Sequence, residues 1–169
     1  PPPPPPPPSP FSFSCFCRLT SSCFLSGVVT CALPIWFVVR DSVVGDSLGY
    51  GIQLSSGSSV QVTPVVTGNT VTGSGSAAIS LYSSRLDASR LDGNSGSGND
   101  GGLELAGTIT GSGTLTSGSL LPSAGMSSAT GLTVDSGVVL TVPAGQTWKS
   151  RGTLAVSGSL VVAGTAQAP

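Results

Sequence analysis

The stretch Gly152-Thr-Leu-Ala-Val-Ser-Gly158-Ser-Leu-Val-Val-Ala-Gly164 decides the fold class, because aliphatic residues alternate with other residues between glycines. An alternation with a period of two is the repeat of a β-strand. Residues 138–142 show the same alternation, and glycines six residues apart recur at Gly45 and Gly51 and at Gly107 and Gly113. The pattern therefore predicts many short strands of about three to five residues each.

Short strands separated by glycines are typical of a parallel β-solenoid, in which each coil buries a few aliphatic residues against the next coil. The abundance of Gly, Ser and Thr opposes α-helix. A β-sandwich, the alternative, normally has longer strands and more aromatic residues. We predict an all-β parallel β-helix over residues 41–169, with roughly six coils of about 20 residues. Residues 84–92 are an exception to the strand pattern, and we expect them to form a single helical turn or a charged loop.

The aliphatic residues with period two are the candidates for the solenoid interior, since burying such side chains is the main force that holds coils together. They are Ile52, Leu54, Val60, Val62, Ile79, Leu81, Leu103, Leu105, Ile109, Leu115, Leu132, Val134, Leu140, Val142, Leu154, Val156, Leu160 and Val162.

The composition excludes several classes of function. Only 8% of the 169 residues are charged, the net charge is -1 and there is no His, so no basic surface for nucleic acid is expected. The chain is 38% hydrophobic, unlike intrinsically disordered chains. Residues 41–169 contain neither Cys nor His, and most general-base and thiol chemistry is therefore unavailable there. We expect no enzyme, no cofactor and no catalytic, cofactor-binding or metal-binding residue.

Residues 1–40 differ from the rest of the chain, because they hold the proline octamer, all four Cys and all five Phe. The Cys spacings match no zinc site. Residues 26–36 resemble the conceptual translation of sequencing-adapter DNA, and we therefore expect residues 1–40 to be disordered or artefactual. The alternative is a signal or transmembrane segment at residues 19–39, an uncharged stretch long enough to span a bilayer. A membrane partner is expected only in that case.

Residues 95–103, Ser-Gly-Ser-Gly-Asn-Asp-Gly-Gly-Leu, contain two incomplete ligand-binding motifs. Residues 96–101 fit the letters G-x-G-x-x-G, but the dinucleotide site also requires a preceding strand and a following helix. The stretch also resembles the calcium-binding nonapeptide of bacterial repeat toxins, with Asp92, Asp100 and Glu104 as potential oxygen ligands. We interpret it as a flexible glycine-rich loop.

Two further patterns have a functional and a structural interpretation. The sequence Ser-Arg-Leu-Asp occurs twice, at residues 84–87 and 89–92, and is interpreted as a solvated loop with Arg–Asp pairing. The Thr-x-Thr units at residues 70–72, 108–110 and 114–116 are a weak ice-binding pattern, and we interpret them as ordinary solvent-facing β-branched residues.

Residues 152–164 and 111–118 resemble the Gly-x-Leu-x-Val-x-Gly repeats of bacterial autotransporter passengers and related β-helical adhesins, over about residues 103–165. The resemblance implies a secreted or cell-surface scaffold with a structural or adhesive role, and cell-surface glycans or host proteins as partners. It carries no catalytic motif. Because residues 163–169 form no polar cap, we expect a fragment of a solenoid.

Two alternatives for the function stay open. Similar repeats occur in phage tail spikes and fibres. The other alternative is an enzyme, namely a β-helical polysaccharide lyase or hydrolase. Cleavage of a glycan usually requires two carboxylates across a groove. Its candidate residues are Arg85, Asp87, Arg90, Asp92 and Asp100.

Overall fold

The computed structural model describes residues 37–56, 61–116, 119–120, 122–124, 131–150, 152–163 and 165–167. Residues 1–36, with the proline octamer and the adapter-like stretch, lie outside them, as does Val60. The described strands are Val38–Arg40 (β1), Val43–Gly45 (β2), Ile52–Ser55 (β3), Val65–Thr67 (β4), Thr70–Thr72 (β5), Ala77–Asp87 (β6), Ser95–Ser97 (β7), Gly101–Gly111 (β8), Gly113–Thr114 (β9), Pro122–Ala124 (β10), Leu132–Val134 (β11), Val139–Val142 (β12), Thr147–Ser150 (β13), Leu154–Val156 (β14), Ser159–Val162 (β15) and Thr165–Gln167 (β16).

The strands form a parallel β-solenoid, as the alternating aliphatic residues predict. Each described strand pairs in parallel with the equivalent strand of the next coil, and no two strands adjacent in sequence pair with each other. One ladder runs through β3, β6, β8, β10, β13 and β16, a second through β2, β5 and β7, and a third through β9, β12 and β15. The β-sandwich alternative, which needs antiparallel layers, is wrong.

The longest ladder stacks six strands, β3, β6, β8, β10, β13 and β16. The coils vary around the predicted size of about 20 residues, since the register partners Ile52 and Ile79 are 27 residues apart and Thr147 and Thr165 are 18 apart. Ser42 and Asn69, which occupy equivalent corners of successive coils, are 27 residues apart, and Asn69 and Asn94 are 25 apart.

Strands β6 and β8 are much longer than predicted, at 11 residues each. They pair along their length, but the register shifts between Ser83 and Leu86. Gly107 lies opposite Ser83 with a φ of 103°, and a Cβ at this position would lie 1.9 Å from the Ser83 carbonyl oxygen. Only glycine adopts this backbone conformation so close to a neighbouring carbonyl group. Gly107 therefore allows β8 to turn a corner of the coil.

Most of the predicted interior residues are buried, from Ile52 in the first coil to Val142. The last described coil differs from the prediction, because Val156 is 45% exposed and Leu154, Leu160 and Val162 are only partly buried. Strand β14, which carries Val156, pairs with β11 on one side and with no other described strand. Interior residues that the alternation did not identify include Val66, Val71, Leu86, Leu91 and Trp148.

Residues 84–92 contain a helical turn, one of the two predicted forms. Strand β6 continues to Asp87, and a 3-10 turn follows at Ala88–Arg90. The Asp87 side chain caps this turn by accepting a hydrogen bond from the Ser89 amide. Among the described residues no helix is long and apolar enough to cross a membrane.

Stacked left-handed turns form the corners on both sides of the ladder β2–β5–β7. Before this ladder, Asp41, Gly68 and Gly93 have φ values of 48°, 66° and 70°. Each is followed by a buried polar residue, Ser42, Asn69 or Asn94. After the ladder, Asp46, Gly73 and Gly98 repeat the same backbone conformation. These turns place successive coils in register.

Candidate functional site: the corner cleft at residues 96–102

Four polar residues of β6, β8, β10 and β13 are paired in register across the coils. Ile79 and Leu81 of β6 belong to the core, so the alternation of side chains places Ser80 on the other side. Ser80 pairs in register with Glu104 of β8, and Glu104 pairs with Ser123 of β10. Ser123 in turn pairs with Lys149 of β13. The register thus aligns Glu104 and Lys149 although they are far apart in sequence.

A cleft of about 200 Å³ opens where this row meets the corner between β7 and β8. Among the described residues that line it, Asp100 and Glu104 carry carboxylates and Lys149 carries an ammonium group. Asp100 and Lys149 are exposed, whereas Glu104 is only 4% exposed. The other lining residues are Gly96, Ser97, Gly98, Asn99, Gly101, Gly102, Ser119 and Leu120.

Hydrogen bonds between coils hold the walls of the cleft in place. The Asn99 side chain accepts from the Ser74 amide at 2.9 Å and donates to the Val71 carbonyl at 2.8 Å. The Asp100 amide donates to the Ser74 carbonyl at 3.0 Å, which fixes the backbone that carries the Asp100 carboxylate. The corner is therefore anchored to the preceding coil at two consecutive residues.

Gly96 forms the start of the cleft wall and is tied to the next coil. Its amide donates to the Ser119 hydroxyl oxygen at 2.9 Å, and the Ser119 hydroxyl donates to the Gly96 carbonyl. A Cβ at position 96 would lie 1.9 Å from the Val71 carbonyl oxygen, so no other residue fits there without moving the backbone. The close approach of two coils therefore requires this glycine.

The two motifs of residues 95–103 lie in this cleft but do not form the sites they resemble. Residues 96–101 extend from β7 into the start of β8, so a strand follows the motif where a dinucleotide site needs a helix. Asp100 and Glu104 line the cleft, whereas the Asp92 carboxylate accepts from the Gly93 amide at the preceding corner. The described residues contain no group of three or more His, Cys, Asp and Glu side chains able to hold a metal ion. Instead of a flexible loop, the stretch forms β7, a hydrogen-bonded corner and the start of β8.

The candidate residues for an enzyme have separate local partners. The Arg90 Nε atom lies 3.1 Å from the Asp87 carboxylate, an Arg–Asp pair of the kind that the repeated sequence predicts. Arg85 donates to the Gln61 side chain at 3.1 Å. Of the five candidates, Asp100 is the one that lines the cleft.

The Thr-x-Thr units lie on different sheets. Residues 70 and 72 belong to β5 in the ladder with β2 and β7, residues 108 and 110 belong to β8, and residue 114 belongs to β9. Their hydroxyls therefore do not share one flat row of the kind that an ice-binding surface needs.

The sequence analysis did not identify Lys149, Ser97, Asn99 or Ser119 as site residues. A signal exists for Asn99, because Gly98-Asn99 repeats the Gly68-Asn69 and Gly93-Asn94 pairs of the other corner. Lys149 has no such signal, since its position depends on the register of two coils. Comparison of the chain with protein-family models, with curated proteins and with solved structures found no match.

Proposed function

We propose that this chain is a structural and adhesive solenoid at a cell surface or in the secreted fraction, and that it acts through its exposed polar rows. The observation that carries the proposal is the outward row of hydroxyl residues on the ladder β2–β5–β7. Thr70 pairs in register with Ser95, and their hydroxyl oxygens are 3.4 Å apart. Thr72 and Ser97 form the next row.

A ladder of this kind supports adhesion because the backbone fixes the distance between successive side chains at about 4.8 Å. Hydroxyl and amide groups held at a regular spacing form hydrogen bonds with a polar partner at a small entropic cost, since they are already ordered. Three of the candidate residues for an enzyme support the same interpretation, because Asp87, Arg90 and Arg85 are engaged with neighbouring groups of the chain itself.

The proposal is tested by adhesion of the full chain. Beads that carry the chain are passed over immobilised cell-surface glycans, extracellular host proteins and cultured cells, and beads that carry serum albumin are the control. We expect specific retention on at least one of these surfaces. Retention equal to that of albumin beads on every surface overturns the proposal.

The enzyme alternative is tested on the same protein. The full chain is incubated with soluble polysaccharides, and the length of the polysaccharide is followed by size-exclusion chromatography. We expect no change in length. Shortening that disappears in the Asp100→Asn variant would overturn the scaffold proposal in favour of a lyase or hydrolase.

A further inference from the structure

We infer that the Asp92–Gly93 peptide unit is a self-modification site, at which the chain converts Asp92 to isoaspartate through a cyclic imide. The inference is independent of the adhesive function proposed above. It rests on the position of the Asp92 side chain and on the glycine that follows it. The conversion lengthens the backbone beside the buried Asn94, so the stability of this corner decreases as the protein ages.

The Asp92 side chain is folded over the peptide bond that follows it. The Gly93 amide donates to the Asp92 Oδ1 atom at 2.7 Å, and its second acceptor, the Thr116 carbonyl, is farther away at 3.2 Å. The carboxyl carbon is therefore held beside the Gly93 nitrogen, which is the position that attack by this nitrogen requires. Such positioning strongly accelerates the reaction between two groups. Asp92 and Gly93 are both exposed, so water reaches the site.

The reaction is a dehydration followed by a hydrolysis. The Gly93 nitrogen forms a bond to the side-chain carboxyl carbon of Asp92. The nitrogen loses its proton and the protonated carboxyl group loses a hydroxyl group, so that one water molecule leaves. Water then attacks the former main-chain carbonyl of the five-membered imide and breaks its bond to the nitrogen. The main chain now runs through the Asp92 side chain, and the product has the mass of the starting chain.

The product does not fit the corner between two coils. The Asp92 main-chain carbonyl accepts from the Gly68 amide at 3.1 Å, and in isoaspartate this carbonyl becomes a free carboxylate. The main chain between the buried residues Leu91 and Asn94 also becomes one carbon longer. Asn94 depends on this spacing, because its side chain donates to the Leu91 carbonyl at 2.9 Å and accepts from Asn69 at 2.9 Å.

Two other sites in the chain separate the effect of geometry from that of sequence. Asp100 is also an exposed aspartate before a glycine, but the Gly101 amide donates to the Ser76 carbonyl at 3.1 Å. At the second site the Ser136 amide donates to the Asp135 Oδ1 atom at 2.8 Å, so the geometry is similar. Serine has a side chain, however, and this side chain hinders the approach of the nitrogen to the carboxyl carbon.

The experiment is an incubation of the full chain at mildly acidic pH, with and without a denaturing concentration of urea. Isoaspartate is located by electron-transfer mass spectrometry after digestion with the protease Asp-N, which does not cleave before isoaspartate. In the folded chain we expect isoaspartate to form at Asp92 at least about tenfold faster than at Asp100 or Asp135. In urea, where the geometry is lost, Asp92 and Asp100 should react at similar rates.

Three outcomes overturn the inference. They are the absence of isoaspartate at Asp92 in the folded chain, a rate at Asp100 that equals or exceeds the rate at Asp92, and the same excess of Asp92 with and without urea. The last outcome would mean that the sequence, and not the fold, selects the site.

Asp92→Glu tests the consequence for stability. Glutamate keeps the charge but must close a larger ring, so it forms the imide much more slowly. Each chain is compared with its own fresh sample, which removes any difference in initial stability. After incubation we expect the urea midpoint of the unchanged chain to fall and that of the Asp92→Glu chain to stay the same. Isomerisation without a fall of the midpoint, or equal falls for both chains, overturns the link to the Asn94 corner.

Discussion

Asn69 and Asn94 stack on each other in the interior of one corner, and the Asn69 Nδ2 atom donates to the Asn94 Oδ1 atom at 2.9 Å. Both side chains are fully buried. Asn94 also accepts from the Asn69 backbone amide at 3.1 Å and donates to the carbonyls of Val66 at 2.7 Å and Leu91 at 2.9 Å. The Asn94 side chain thus provides hydrogen-bond partners for several backbone and side-chain groups that have no access to water.

Replacement of this side chain is expected to be costly. Asn94→Ala leaves buried donors and acceptors without partners, and each such group costs about 1–3 kcal/mol. We expect a loss of about 3 kcal/mol or more in the free energy of unfolding, measured by urea denaturation. Gln53→Ala, on the less buried outer side of β3, is the control and should change the free energy by less than about 0.5 kcal/mol. Equal losses for the two variants would show that the asparagine stack contributes little.

The glycine at the bend of β8 is expected to be irreplaceable. Gly107→Ala adds a Cβ 1.9 Å from the Ser83 carbonyl oxygen at a φ of 103°, so the two coils must move apart. We expect a loss of about 3 kcal/mol or more, or failure to fold. Gly137→Ala is the matched control, because its φ is 77° and no atom lies within 4 Å of the added carbon. It should cost only the backbone strain of about 1–2 kcal/mol. Thermal unfolding of both variants measures the two losses of stability. Equal losses would show that the contact with Ser83 is unimportant.

Two buried serines are expected to respond in opposite ways. The Ser80 hydroxyl is buried and has no hydrogen-bond partner in the part of the chain that the structure describes. Ser80→Ala therefore removes a desolvated polar group and should leave stability unchanged or raise it by up to about 1 kcal/mol. Ser83 is also fully buried, but its hydroxyl donates to the Val62 carbonyl at 2.5 Å and accepts from the Arg85 amide at 3.2 Å. Ser83→Ala should therefore lower stability by about 1–3 kcal/mol. Urea denaturation of the pair gives the sign of each change, and a loss for Ser80→Ala comparable to that for Ser83→Ala contradicts the prediction.

The interior is expected to be most sensitive in its middle coils. Leu105 is fully buried in β8, a strand that is paired on both sides, and Leu105→Ala should cost about 2–5 kcal/mol. Leu154 is only partly buried, and Leu154→Ala should cost less than half as much. Hydrogen exchange should follow the same order, with slower exchange at the amides of β8 than at those of β14. Uniform exchange along the chain would mean that the coils unfold as one unit.

The fold class could be predicted from the sequence because a few aliphatic residues in each strand are enough to reveal the period of two. Leu103 and Leu105 illustrate this, since both lie in the interior as their spacing indicates. The variation in coil size, from 27 residues between Ile52 and Ile79 to 18 between Thr147 and Thr165, could not be predicted, because no local pattern shows how far the chain extends before it returns to its ladder. The glycine at position 107 shows the same limit, since its spacing from Gly113 suggested the end of a strand and its backbone instead bends one.

The candidate site was predictable only in part. Asp100 and Glu104 are close in sequence and were identified together as potential oxygen ligands. Lys149 joins them only through the pairing of β8 with β10 and of β10 with β13. The buried Trp148 places the Lys149 side chain on the outer side of β13, but no local pattern of residues shows which residue of β8 it aligns with.

The equivalence of the Asn69 and Asn94 corners gives this molecule a modular length. Removing residues 69–93 would join Gly68 to Asn94. Gly68 and Gly93 have the same left-handed backbone conformation and each is followed by a buried asparagine, so the new junction matches the original ones. Duplicating the same 25 residues would insert one more coil with corners of matching shape. Internal duplication can therefore extend or shorten such a chain in whole steps, whereas the gain or loss of a single residue within β5 would turn its valine outward.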